Sequence, residues 1–74
     1  MLNVTVKAVL LEYNDARLRF DLVFEDGCVK HVDLDRYGIK TIRSASLRDI
    51  IEQSAVDYFD SLGQSVDVIS IIFA

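Results

Sequence analysis

RFDLVFEDGCVKHV, residues 19–32, decides the fold. Phe20, Leu22 and Phe24 alternate with Arg19, Asp21 and Val23, the period of two of a half-buried strand. Glu25-Asp26-Gly27 then interrupts the pattern, and a second alternating run follows. A three-residue turn with Gly27 in the left-handed position pairs Phe24 with Cys28, Leu22 with Lys30 and Phe20 with Val32, and further out Leu18 with Leu34. This register turns Lys30 toward the apolar side. An inward lysine is costly on a central strand but guards an edge strand against pairing with other chains. The third strand is therefore expected at an edge of the sheet.

Upstream, Val4, Val6, Ala8 and Leu10 alternate with Thr5 and Lys7. Joining this run to the next through a three-residue Asn14-Asp15-Ala16 loop pairs Tyr13 with Arg17, Leu10 with Phe20, Ala8 with Leu22 and Val6 with Phe24. A two-residue turn would set Leu10 against Arg19 and Ala8 against Asp21, and a slip of one residue costs the whole core face.

Downstream, Ser46 with Asp49 three residues on forms a capping box in which Asp stands for the usual Glu or Gln. The helix runs to Asp60 or Leu62 and stops at Gly63. Leu47, Ile50, Ile51, Ala55, Tyr58, Phe59 and Leu62 make its apolar stripe. Asp49, Glu52, Asp57 and Asp60 fill the opposite arc, with Val56 among them. The last run, VDVISIIFA, is apolar on both faces: Val66, Val68 and Ile72 on one, Ile69, Ile71 and Phe73 on the other. A right-handed crossover through the helix places it parallel to the first strand. The expected fold is one α+β domain over residues 1–74, a four-stranded mixed sheet (β-β-β-α-β, order 3-2-1-4) with one helix on one face. The competing arrangement, with the final strand beside the third, would make Lys30 central.

Leu, Ile, Val and Phe supply 28 of 74 residues, well above the range of disordered chains. A chain of this length buries only about 60–65% of its unfolded surface, so a second copy or a partner would add materially to its stability. The one cysteine forms no intramolecular disulfide, and four-Cys and two-Cys-two-His zinc sites are excluded by count. The alternating N-terminal run reads as a strand and not as a signal peptide. No apolar run approaches the roughly 20 residues of a membrane span. The expected setting is cytoplasmic.

The net charge of −4 is unevenly placed: residues 1–43 balance, while residues 44–74 carry Asp49, Glu52, Asp57, Asp60 and Asp67 against Arg48. No basic footprint exists for direct nucleic-acid or membrane binding.

His31, Asp33 and Asp35 share one face of a strand and could suggest a metal or acid/base site. The register gives each a partner on the next strand, Asp21, Arg19 and Arg17, so the motif reads as a cross-strand ion-pair ladder. Cys28 and His31, three apart on a strand, point to opposite faces and form no nucleophile pair; Cys28 reads as a small buried hydrophobe. DLDRYGIK, residues 33–40, resembles the start of a calcium-binding loop but meets Ser44 where a bidentate Glu is required. Arg36, Lys40, Arg43 and Arg48 gather before the helix, where an anion could bind.

The sheet face away from the helix carries Val9, Leu11, Val23, Val29, Ile69, Ile71 and Phe73, more apolar surface than a solvated face normally shows. Cover by residues 35–45 (Tyr37, Ile39, Ile42) is one explanation. The preferred one is a homodimer through Val9, Leu11, Val23, Ile69, Ile71 and Phe73. The chain accordingly reads as a non-enzymatic protein-interaction module without cofactor, self-associating and offering Asp49, Glu52, Val56, Asp57 and Asp60 to another, basic protein. One alternative is a phage-type acidic inhibitor that mimics nucleic acid and blocks a basic groove. Another is a metal- or small-ligand-binding protein using His31, Asp33 and Asp35.

Overall fold

The computed structural model describes residues 1–41 and 46–74. Its elements are β1 (Leu2–Tyr13), β2 (Arg17–Phe24), β3 (Val29–Asp35), α1 (Arg36–Thr41), α2 (Leu47–Ser61) and β4 (Val66–Phe73). The sheet has the order β3-β2-β1-β4, antiparallel except for the parallel β1–β4 pair, with α2 packed on one face. This is the expected α+β topology, with Lys30 on an exposed edge strand. Among the described residues no helix is long and apolar enough to cross a membrane.

Two locally encoded stops fix α2. Ser46 accepts from the Asp49 N–H at 3.2 Å while the Asp49 carboxylate accepts from the Ser46 N–H at 3.4 Å, closing the capping box. At the other end Gly63 adopts φ +75°; its N–H donates to Asp60 and that of Gln64 to Phe59, so the last carbonyls are satisfied. The core lies between α2 and the sheet. Leu18, Phe20 and Leu22 of β2 are fully buried with Val6, Ala8, Ile50, Ile51 and Ala55, and burial of each large side chain stabilises by about 1.5–3 kcal/mol. Val56 also packs against this cluster, although the helical wheel sets it among the acids.

The second hairpin forms in the expected register, with the Phe24 N–H donating to Cys28 O at 2.9 Å and Gly27 at φ +88°. The first departs from it. Leu10 faces Phe20 as expected, but Glu12 faces Arg19 and Tyr13 faces Leu18. Leu11 is the extra residue of a β-bulge, and the turn shortens accordingly: Asn14 pairs with Arg17, its Oδ1 accepting the N–H groups of Ala16 and Arg17. Without the bulge Glu12 would lie over buried Leu18. With it, Glu12 joins Arg19 on the open face.

A second bulge corrects the reading of β4. Val4 pairs with Val68 but Thr5 pairs with Ser70, leaving Ile69 as the extra residue; Ile71 then pairs with Val6 and Phe73 with Ala8. A bulge inverts the alternation beyond it. Ile71 and Phe73 thus share the helix-side register of Val6 and Ala8, and Ile71 packs against the core. Strict alternation would have put Ser70 there. Ile72 takes the open face, in register with Lys7.

Helix α1 was not expected from the sequence. Asp35 caps it, its Oδ1 accepting from the Gly38 N–H at 2.8 Å, and Ile39 packs half-buried against the core while Tyr37 is exposed. Ile42 lies outside the described residues.

The bulge at Ile69 has a measurable signature. In dilute protein, Ile71→Ala is expected to lower the free energy of urea unfolding by about 2 kcal/mol and Ile72→Ala by less than about 1 kcal/mol. The reverse ranking would restore uninterrupted alternation in β4.

Candidate functional site

The three residues of the HVDLD motif are held apart by their partners. His31 Nδ1 lies 2.6 Å from Asp21 Oδ1, the pair the register requires. Asp33 and Asp35 sit opposite Arg19 and Arg17, but the ion pairs do not follow the rungs. Arg17 reaches diagonally to Asp33, with contacts at 2.8 and 3.1 Å. Arg19 turns instead to Glu12 on β1 at 3.7 Å, a contact that exists because the Leu11 bulge brings Glu12 opposite it. Asp35 caps α1. Three different tasks occupy the three side chains. Among the described residues no group of three or more His, Cys, Asp or Glu is arranged to hold a metal ion.

Of the basic quartet, Arg36 and Arg48 each engage a partner of their own. Arg36 Nε makes a long contact with the Asp15 carbonyl, 3.4 Å away at the first hairpin turn, and Arg48 pairs with Glu52 at 3.1 Å one turn along α2. Arg43 and the side chain of Lys40 lie outside the described residues. The acidic arc of α2 is partly neutralised. Asp49 closes the capping box, Glu52 meets Arg48, Asp57 accepts from Gln53 at 2.8 Å and Val56 is turned toward the core, leaving Asp60 as the exposed carboxylate of the arc without a side-chain partner among the described residues.

On the sheet face away from α2, Val9 and Val23 are half-buried and Val29 is exposed, interleaved with Thr5, Lys7, Arg19, Asp21 and His31. With Ile71 and Phe73 moved to the other face by the bulge, this face is mixed polar and apolar. The apolar exposure is concentrated on the β4 side instead. Ile69, Ile72 and Phe73 are 57%, 53% and 54% exposed, and Leu10 and Leu11 lie farther along β1, where β4 has ended. Sequence reading named Leu11, Ile69 and Phe73 but missed Ile72, which the Ile69 bulge turns to the open face, and Leu10, which keeps its expected register opposite Phe20 but lies beyond the last β1–β4 pair.

The two edges of the sheet differ in character. The β3 edge presents Lys30, His31, Asp33 and Asp35. The β4 edge presents Asp67 as its one charge and contains no lysine, arginine or proline.

Cys28 is exposed, against the expectation of a buried hydrophobe: it lies in the β2–β3 turn, just before β3 begins at Val29. Its N–H donates to Asp26 Oδ1 at 2.9 Å. The thiol's hydrogen bond to the Asp26 carboxylate, reinforced by the negative charge beside it, raises the thiol pKa above the ordinary value, and the same pairing depresses Asp26, chiefly through the Cys28 N–H. A thiol held protonated in this way is a poor nucleophile.

Compared with known protein families, curated proteins and solved structures, the chain shows no significant match.

Asp26→Asn retains an oxygen acceptor for the Cys28 N–H and removes the charge. It is expected to lower the thiol pKa and speed alkylation of Cys28 by iodoacetamide near neutral pH. In strongly alkaline solution, where both proteins are thiolates, the difference should vanish. An equal rate in both proteins at every pH would remove Asp26 as the cause.

Proposed function

We propose that the protein is a small acidic, non-enzymatic interaction module of the cytoplasm that self-associates through the β4 side of its sheet. One observation carries the reading: β4 is the last strand of the sheet on its side and carries no lysine, arginine or proline. Proteins blunt exposed strand edges with lysine, proline, charge or a covering element because the free N–H and C=O groups recruit other strands. β3 is blunted in this way by Lys30 and its charged neighbours, whereas β4 combines the terminal position in the sheet with three apolar side chains that are each more than half exposed. A two-fold axis through paired β4 strands would extend the sheet across two copies and bury Ile69, Ile72 and Phe73 against their equivalents. Val9 and Leu11 adjoin this edge, while Val23 belongs to the flanking face and Ile71 supports the interface from the core.

The bulge at Ile69 tunes this edge without closing it. It interrupts the ladder in the middle of the strand, which restricts the registers a partner strand can adopt.

The test is solution mass by light scattering over a range of concentrations. Wild-type protein is expected to pass from one chain to two. Ile72→Lys, which places a charge at an exposed position, should weaken the association at least about tenfold, equivalent to about 1.4 kcal/mol, while circular dichroism stays unchanged. Wild-type protein that remains a monomer at every concentration would overturn the reading. A complementary variant, Lys30→Ile, should strip the guard from the opposite edge and produce open-ended aggregation beyond the dimer.

A further inference from the structure

β1 overruns its antiparallel partner. It pairs with β4 from Leu2 onward but with β2 only from Val6, so along residues 2–5 its β2 side faces no strand. Backbone groups alternate in direction along a strand. The Phe24 N–H points away to Cys28 O just before β3, and the Thr5 N–H projects into the gap, where it donates to Glu25 Oε1 at 3.1 Å. The carboxylate of Glu25 stands where the next β2 carbonyl would be. Two residues back, the same alternation directs the N–H and C=O of Asn3 into the gap.

The gap is an open cavity of about 270 Å³ between the start of β1, the β2–β3 turn and the end of α2. Its apolar wall includes Val4, Phe24 and Phe59. Phe24 is locked in an aromatic cluster, stacked on Tyr58 at 4.9 Å and edge-on to Phe59 at 5.1 Å. Glu25 and Asp26 are the ionisable side chains of the lining, both of one sign, and neither joins a salt bridge among the described residues. Backbone hydrogen bonds from Thr5 and Cys28 hold the two carboxylates in place, so a cation would meet acceptors that need little further ordering. Aromatic rings beside fixed carboxylates attract an ammonium group through the ring quadrupole and through charge. A lysine side chain matches both parts of the cavity, with its apolar stem against the rings and its charged head at the rim.

We propose that this notch binds a lysine side chain presented by an extended segment of a partner protein, whose backbone pairs with Asn3 at the open side of β1. The surface lies on the opposite side of β1 from β4, and the proposal does not depend on self-association.

The test is a ¹⁵N chemical-shift titration at constant ionic strength with three probes: n-butylammonium, n-butanol as its neutral counterpart, and a terminally blocked Val-Lys-Val tripeptide. Butylammonium is expected to shift the amides of Thr5, Glu25, Asp26 and Gln64 saturably. Butanol should bind about tenfold more weakly, and the tripeptide several-fold more tightly with the Asn3 amide shifting as well. The double variant Glu25→Gln, Asp26→Asn keeps oxygen acceptors for both backbone donors and should weaken ammonium binding about tenfold; Glu25→Gln alone, a milder change, should give part of that loss, and Glu52→Gln on α2 none. Equal binding of butanol and butylammonium, shifts spread evenly over all the carboxylates, or unchanged affinity in Glu25→Gln would overturn the site. A tripeptide that binds no better than butylammonium would overturn the protein partner and leave a site for small amines.

Discussion

A strand offers two faces and a strict alternation between them, and the rest of this structure depends on how that constraint is met in the two bulged strands. Leu18, Phe20 and Leu22 form an unbroken buried row on β2, and α2 covers only one side of the sheet. Every neighbour must therefore deliver its apolar residues to that side at the right rungs. β1 and β4 each do so with one inserted residue. Leu11 brings Glu12 into line with Arg19 and Tyr13 into line with Leu18, and Ile69 brings Ile71 into line with Val6. Both inserted residues are apolar and more than half exposed. The bulges thus settle at once which residues fill the core and which are left outside it.

Much of the architecture is legible in the sequence because its determinants are local or depend on strong parity. Gly27 and the flanking alternation set the β2–β3 register. Ser46, Asp49 and Gly63 bracket α2, and one inward lysine distinguishes edge from centre. The bulges are not legible, because VDVISIIFA is apolar on both sides of the strand and tolerates either parity; only the neighbouring strand selects one. Leu10-Leu11 is ambiguous in the same way. Helix α1 hides behind Gly38, which costs about 1 kcal/mol in a helix interior. A Cβ at that position would come within 3.3 Å of Leu34 Cδ2, so the packing accounts for the residue the propensity disfavours. The candidate surfaces inherit these limits. The alternation alone does not disclose the exposure of Ile72 or the notch beside Asn3 and Glu25, because both depend on how the neighbouring strands pair.

The charged side chains show a related division between register and contact. Backbone pairing puts Arg19 opposite Asp33 and Arg17 opposite Asp35, yet the guanidinium groups choose Glu12 and Asp33. Exposed ion pairs of this kind are individually worth only a few tenths to about 1 kcal/mol, too little to dictate the register and small enough to rearrange around it. They follow the fold that the apolar rows set. The same holds on α2, where Arg48 and Gln53 engage two of the four acids of the exposed arc.

The parallel pairing of β1 with β4 joins residues far apart in the chain: Leu2 pairs with Val66, 64 positions later. Closing so long a loop carries a larger entropic cost than forming either hairpin or the doubly capped helix. Contacts of such sequence separation slow folding. Loop-closure entropy favours an order in which the β1–β2–β3 meander and α2 organise before β4 is added. Until that step β1 itself is an open edge, and the segment that must close it is the most apolar of the chain. In that order, refolding at high concentration sets this intramolecular closure against capture of the same segment by another chain.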